Sequence, residues 1–295
     1  MRIKLIFALV LFCAASLAGA GEIRASLLDK IQLAEHAAPA DAVLESDGAF
    51  GVYDAFEGAY TIYRGGKAEQ TVKRNYLKGG NCFVKNGNYY FYCNSADNRL
   101  DMLSGGFDLY QSFSLPSGMK GKYDPTDALA AGGYVFSVDN DNHRIIKTDI
   151  TSKEVELAVG SYGSERLNFW FPYSITSDSK GVLYVSEVLN TRVQKLTTDL
   201  KFYEFYGKWG VNPGEFYRPT GIAIYKGSTL FVGDGYTGVV QYLDGDGKFS
   251  GVLKDKSGKK LEFGSVTHIR ISGNRLAVVD AFNKAVYIYE LGEEN

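Results

Sequence analysis

Little in this chain is of the kind that does chemistry. Among 295 residues there are three histidines and three cysteines, and no nucleophile elbow, Cys-x-x-Cys pair, Cys-His pairing or phosphate-binding glycine loop. Basic residues number 32 against 34 acidic ones, so the totals lack the basic surplus that a nucleic-acid partner would need. The one lysine-rich stretch, Lys254 to Lys260, reads as a solvated loop between strands. No run after residue 20 is long and apolar enough to cross a bilayer as a helix. Helical periodicity is also missing between Val43 and Leu291.

What the first forty residues contain is different. Arg2 and Lys4, the apolar run Leu5 to Ala15 and the small residues Ala18-Gly19-Ala20 have the order of an export signal, with cleavage expected after Ala20. Phe12 stands before Cys13 where lipid attachment would want a small residue. Removing residues 1–20 leaves 30 basic and 34 acidic residues, a net charge of about −4, and an exported chain of periplasmic or extracellular location. Residues 21–40 are expected to form a closing segment. Ile23, Leu27, Leu28, Ile31 and Leu33 fall roughly on one helical face, which predicts an amphipathic helix over Glu22 to His36, ending before Pro39. It would plug one end of the fold or serve a partner.

From residue 41 to residue 295 the chain repeats. DPTDAL, FPYSIT, RPTGIA and SVTHIR start at Asp124, Phe171, Arg218 and Ser265, 47 residues apart each time. Six apolar runs end at Asp54, Asn94, Asp139, Glu187, Asp234 and Asp280 and restart at once as a second run, a period that marks propellers or solenoids. The runs are four to seven residues of Val, Ile, Tyr and Phe between Gly, Asn and Asp turns, so each unit reads as strands. Six four-stranded antiparallel units in a ring, an all-β six-bladed propeller, bury their apolar faces without long exposed edges. Little chain remains after Tyr289 for the outermost strand of the last unit. Either residues near Gly21 supply that strand or the sixth blade is short.

GKWGVNPGEFYRPTGIA from Gly207 with TLFVGDGYTGVVQYL, and YGSERLNFWFPYSIT with LYVSEVLNTRVQKL, resemble the NHL repeat. Ser174 and Glu187 depart from its usual Gly and Asp. The resemblance implies the same six-bladed fold. It implies no single activity, because that family includes scaffolds, RNA binders and a zinc lyase. The lyase places several histidines around its channel, and zinc needs at least three protein ligands. Here His36 precedes the ring and His143 lies in a turn, so only His268 is on an inner strand, and no zinc site is expected. Lactonase-like propellers imply a calcium centre of Glu, Asn and Asp; the nearest set is Asp127, Asn81 and Asp41, with no glutamate similarly placed. DNDN from Asp139 resembles a calcium loop but lacks the glycine and distal glutamate of an EF-hand. No cofactor is therefore expected, with calcium the one ion the pattern leaves open.

The acidic and amide pivots are expected to be structural, accepting hydrogen bonds from the backbone of the turn that follows. Asn142, Asn190 and Asn283 suit the same turn, and Arg99, Arg144 and Arg192 are placed to pair with the neighbouring carboxylate. Ligand binding is expected at the axial channel. By the repeat spacing one ring there is Gly221, Ser174, Asp127, His268, Cys82 and Ala42, and a second is Thr220, Tyr173, Thr126, Thr267, Asn81 and Asp41. This mouth would hold a polar ligand or only water. Cys82 and Cys93 are expected to be disulfide-bonded in an oxidising compartment or else to be two buried thiols. In a hairpin with a four-residue loop from Asn86 to Tyr89 they face each other; with a two-residue Asn-Gly turn they sit diagonally. The 21 tyrosines and 18 phenylalanines should mostly fill the gaps between blades. Phe216 is expected inside, and Trp209, Tyr217 and Trp170 are the candidates for a protein-binding surface. The expected protein is a monomer that binds a protein or polar ligand over one face without catalysis. The alternative is a divalent-metal hydrolase or lyase acting through Asp127 and His268.

Overall fold

A computed structural model describes residues 22–294; the expected export signal at residues 1–20 lies outside them. The first strand, β1 (Glu22–Gln32), precedes the ring. Blade one is β2 (Pro39–Leu44), β3 (Phe50–Asp54), β4 (Ala59–Arg64) and β5 (Lys67–Lys73). Blade two is β6 (Phe83–Asn86), β7 (Tyr89–Asn94), β8 (Arg99–Ser104) and β9 (Leu109–Phe113). Blade three is β10 (Pro125–Ala131), β11 (Tyr134–Asp139), β12 (Arg144–Asp149) and β13 (Val155–Val159). Blade four is β14 (Pro172–Ser177), β15 (Leu183–Glu187), β16 (Arg192–Leu196) and β17 (Phe202–Tyr206). Blade five is β18 (Pro219–Tyr225), β19 (Thr229–Asp234), β20 (Val240–Leu243) and β21 (Phe249–Val252), followed by the short β22 (Lys254–Asp255). Blade six is β23 (Val266–Ser272), β24 (Arg275–Asp280), β25 (Ala285–Glu294) and, from the other end of the chain, β1. The fold is an all-β six-bladed propeller.

Each blade is covered by a neighbour on both faces, so its middle strands lose the usual alternation. All five residues of β3 and of β15 are buried, whereas five of the first six residues of β5, at the rim, are exposed. The wedge between blades one and two is filled by Tyr53, Tyr60, Phe83, Tyr90, Tyr92 and Phe107, rings that pack edge-on and tilted, with Tyr90 and Phe107 stacked. Near the axis the gap closes, and at Gly221 it leaves no room for a side chain. A Cβ there would sit 2.5 Å from the backbone nitrogen of Ile269 in the next inner strand.

The expected helix over Glu22 to His36 is a strand instead. β1 runs antiparallel to β25 from Glu22 opposite Glu294 to Gln32 opposite Ala285, and Arg24 and Ala25 also pair with β22. Leu27 and Leu28, which completed the supposed helical face, are exposed (55% and 48%), and the register shifts between Leu27 and Asp29. Ile23, Ala25 and Ile31 turn inward on strand spacing around that shift. The chain's beginning thus supplies the strand that its end lacks, and ten register pairs close the ring.

The pivots end the second strand of every blade and are all buried. Asp234 accepts hydrogen bonds from the amides of Tyr217, Arg218, Tyr236 and Thr237, joining the segment before the inner strand to the turn after the second. Asp280 does the same for Gly264, Ser265 and Asn283. Asn142, Asn190 and Asn283 donate to their pivots, as do Arg144 and Arg192. Arg99 differs because its pivot is the amide Asn94, and it pairs with Asp101. Cys82 and Cys93 are disulfide-bonded, 4.9 Å apart at Cα and directly opposite, with Asn86 paired to Tyr89 at the end of the hairpin.

Candidate functional site

Six inner strands converge on the axis, and a register shift near the start of five of them decides which side chains share a level. Pro39, Pro125, Pro172, Pro219 and Val266 stand opposite their pivots, and two residues further on come Asp41, Asp127, Ser174, Gly221 and His268. Asp41, not Ala42, therefore belongs with Asp127 and His268. The repeat spacing is one residue out here because this position lies 12 residues before the pivot in blades three and six but 13 before it in blades one, four and five. Ala42 lines the opposite mouth.

The feature that sequence reasoning missed is Arg270. It sits two residues after His268, where the corresponding residues in blades one, three, four and five are Val43, Leu129, Thr176 and Ala223. Its guanidinium reaches two blades at once. Nε and Nη2 donate to Asp41 at 3.0 and 2.6 Å, and Nη1 and Nη2 donate to Asp127 at 3.2 and 2.7 Å. Both carboxylates are fully buried and have further donors. Asp41 accepts from the amides of Ala42 and Phe83, and Asp127 from those of Ala128 and Ile175 and from the Ser174 hydroxyl. Burial opposes ionisation of Asp127, but the charges of Arg270 and His268 outweigh it and hold its carboxyl below the usual range. Burial likewise opposes the Arg270 charge, and the two carboxylates more than restore it. The axis is thus sealed by a carboxylate-guanidinium-carboxylate bridge. An arginine among apolar strand residues was the available signal, lost because it fell outside both candidate rings.

His268 is buried with neither ring nitrogen hydrogen-bonded, 5.3 Å from the ring of Tyr173. Burial pushes its pKa down despite the nearby Asp41 and Asp127. Asn81 is not part of this group; its amide donates to Ser95 and to the Pro125 carbonyl. The donor set does not fit a divalent ion. Each oxygen of Asp41 and Asp127 already accepts from Arg270 and from a backbone amide, and the positive charge of Arg270 would face the metal. Among the described residues no group of three or more His, Cys, Asp or Glu side chains could hold a metal.

The seal separates two mouths. One is a cavity of about 520 Å³ lined by all six inner strands, mostly aliphatic, with Arg270 in its wall. The other, on the face that carries the pivot turns, is a cavity of about 390 Å³. It gathers Thr126, Tyr173, Thr220 and Thr267 from the candidate rings, joined by Asn140, Phe171 and Arg218. Exposed aromatic and aliphatic side chains surround this second mouth. The second residue after the pivot is Phe56, Leu189, Tyr236 or Phe282 in four blades, all exposed. Phe282 is 74% exposed and Trp209 is 70% exposed, while Phe216 is buried and Tyr217 and Trp170 are half-buried. Trp209, Tyr217 and Tyr236 form a continuous series, with ring centroids 6.4 and 4.2 Å apart. Tyr162, His143, Trp170 and Phe171 make a second cluster.

Solved structures share this architecture at low sequence identity. A protein of unknown function from Bacteroides thetaiotaomicron is 16% identical with a TM-score of 0.69, over 92% of this chain and 76% of its own. A catalytically inactive His-to-Ala variant of virginiamycin B lyase from Staphylococcus aureus, with quinupristin, is 11% identical with a TM-score of 0.65, over 91% and 99%. A streptogramin B lyase is 13% identical with a TM-score of 0.63, over 92% and 98%. The likeness is one of fold. No family model matches the chain, and no curated protein matches it in sequence.

Proposed function

We propose that this chain is an exported, non-catalytic binding protein of the NHL-like propeller type, monomeric on its own, which engages a protein or polar ligand over the face carrying the pivot turns. One observation carries the reading. Large apolar side chains at equivalent positions, Phe56, Leu189, Tyr236 and Phe282, are exposed around a single mouth with Trp209 beside them. Exposed apolar patches of this kind mark interaction sites, and turns stapled to buried carboxylates hold them in place, so that binding orders little. No helix among the described residues is long and apolar enough to cross a membrane, and the acidic totals speak against nucleic acid.

The competing function is that of a metal-dependent hydrolase or lyase with its site in the channel, in keeping with lyases among the structures of like fold. It would need Asp127 free to take a metal, and Arg270 holds it. The test is co-purification from the native compartment with wild type and with Trp209→Ser/Tyr236→Ser/Phe282→Ser. Loss of the bound species at an unchanged melting temperature is expected. Retention of every bound species, or a stoichiometric divalent ion that chelation removes, would overturn the reading.

A further inference from the structure

We infer that the cavity on the pivot face binds a neutral saccharide, an assignment that rests on the face-binding reading and names its ligand. The hydrogens that the cavity wall has left to donate decide which ligand suits it. A serine or threonine hydroxyl has one proton to donate and two lone pairs. Thr126 gives its proton to the Tyr173 carbonyl at 2.9 Å, Thr220 to that of Val266 at 2.5 Å, and Ser265 to that of Gly235 at 2.9 Å. Thr267 donates to the Val279 carbonyl at 3.4 Å, and one Asn140 amide hydrogen goes to the Pro172 carbonyl at 2.6 Å. All five side chains line the cavity. With these protons spent on the backbone, the five side chains offer mainly lone pairs, the second Asn140 amide hydrogen and the Tyr173 hydroxyl being the donors left beside them, so the wall suits a ligand rich in O–H donors and faces an anion with lone pairs.

A cation would satisfy acceptors equally well, but Arg218 also lines the cavity. It is exposed, and no carboxylate pairs with it among the described residues. Its guanidinium repels an ammonium group and donates to hydroxyl or ring oxygens. Next to Arg218 and Gly235 in the chain stand Tyr217 and Tyr236, stacked at 4.2 Å with 23° between their planes. The stack leaves the outer side of Tyr236, 63% exposed, as an apolar ring face of the sort that covers the C–H face of a sugar ring. An acceptor wall, a single guanidinium and a stacked aromatic rim select a neutral polyhydroxyl ligand over either ion. The cavity volume of about 390 Å³ lies within the roughly 300–1,000 Å³ typical of small-ligand sites.

The experiment is calorimetric titration of the full chain with maltose, cellobiose, lactose and di-N-acetylchitobiose, beside tetramethylammonium chloride and inorganic phosphate. At least one disaccharide is expected to bind with a millimolar or tighter Kd. That affinity should fall at least tenfold in Tyr236→Ala, whose side chain is exposed, and in Thr220→Val, with melting curves recorded for both. Binding of neither ion is expected. Absence of disaccharide binding, preference for either ion, or saccharide binding indifferent to both substitutions would overturn the assignment. If saccharides fail while Trp209→Ser/Tyr236→Ser/Phe282→Ser still loses its co-purified species, the saccharide falls and the face reading stands; if that variant loses nothing, both fall.

Discussion

Replacing Arg270 with methionine removes the charge from the axis but keeps much of the aliphatic volume, and it leaves Asp41 and Asp127 buried without their common partner. Breaking one buried ion pair by deleting one side costs about 3–5 kcal/mol, chiefly because an uncompensated charge remains. Two pairs break here, yet each carboxylate keeps at least two donors. The expected loss is therefore about 4–6 kcal/mol at pH 7.5, or about 10–20 °C in melting temperature for a chain near this size. The pH dependence gives the sharper test. In the wild type the Asp127 pKa is depressed, so its contribution is full above the unfolded carboxylate value and is lost as pH falls through the folded value. In Arg270→Met burial dominates, the folded pKa rises above the unfolded one, and stability is regained as pH falls. The gap between the two proteins should thus narrow from pH 7.5 to pH 5, followed by urea unfolding. Adding Asp41→Asn and Asp127→Asn to Arg270→Met should recover most of the loss. A gap below about 1 kcal/mol, well short of the range for a broken buried pair, or one that does not change with pH, would refute the seal.

Replacing both Cys82 and Cys93 by alanine should lower unfolding free energy by about 3 kcal/mol through the freed loop; an unchanged urea midpoint would count against the bridge as a stabiliser. A chain beginning at residue 33 lacks β1, loses the ten register pairs with β25 and uncovers the side chains packed on Ile23 and Ile31. It should melt at least 10 °C lower, since each buried isoleucine contributes about 1.5–3 kcal/mol, and melting as before would show that the ring closes without it. His268 has a lowered folded pKa, so below the ordinary histidine value near 6.5 the unfolded chain takes up a proton that the fold refuses. Stability should fall as pH drops through that window, and the slope should lessen in His268→Asn when urea midpoints are compared at pH 7.5 and pH 5.

The ring was legible because its pivots do one job six times. A buried Asp, Asn or Glu that staples two segments must recur at each blade, and recurrence shows in a single sequence. The N-terminal strand was not legible in the same way. Leu27 and Leu28 are apolar but exposed, and together with Ile23 and Ile31 they imitate a helical face. The bulge that rescues strand alternation needs β25 as a partner, and pairing across more than 250 residues leaves no local mark. Arg270 was hidden for the opposite reason. It occurs once, and nothing near it in the chain announces that Asp41 and Asp127, 229 and 143 residues away, would meet it at the axis.

That contrast bears on where function can sit. Around a ring of equivalent strands the repeated buried residues answer to the fold, so a site is built from groups that the fold leaves exposed or open. Two sets of polar groups lie along the axis here. In the group of Asp41, Asp127 and Arg270 each carboxylate oxygen accepts from the guanidinium and from a backbone amide, which closes the channel and leaves no carboxylate oxygen open to a ligand. The Arg218 guanidinium, and lone pairs on Thr126 and Thr220, whose protons go to the backbone, stay open at the mouth where the exposed aromatics gather. A polar group that the fold has already paired serves stability, whereas lone pairs and a guanidinium left open beside an apolar rim are completed only by something bound. The proposed binding site accordingly lies on the pivot face, with the arginine bridge as the floor that keeps it from being a pore.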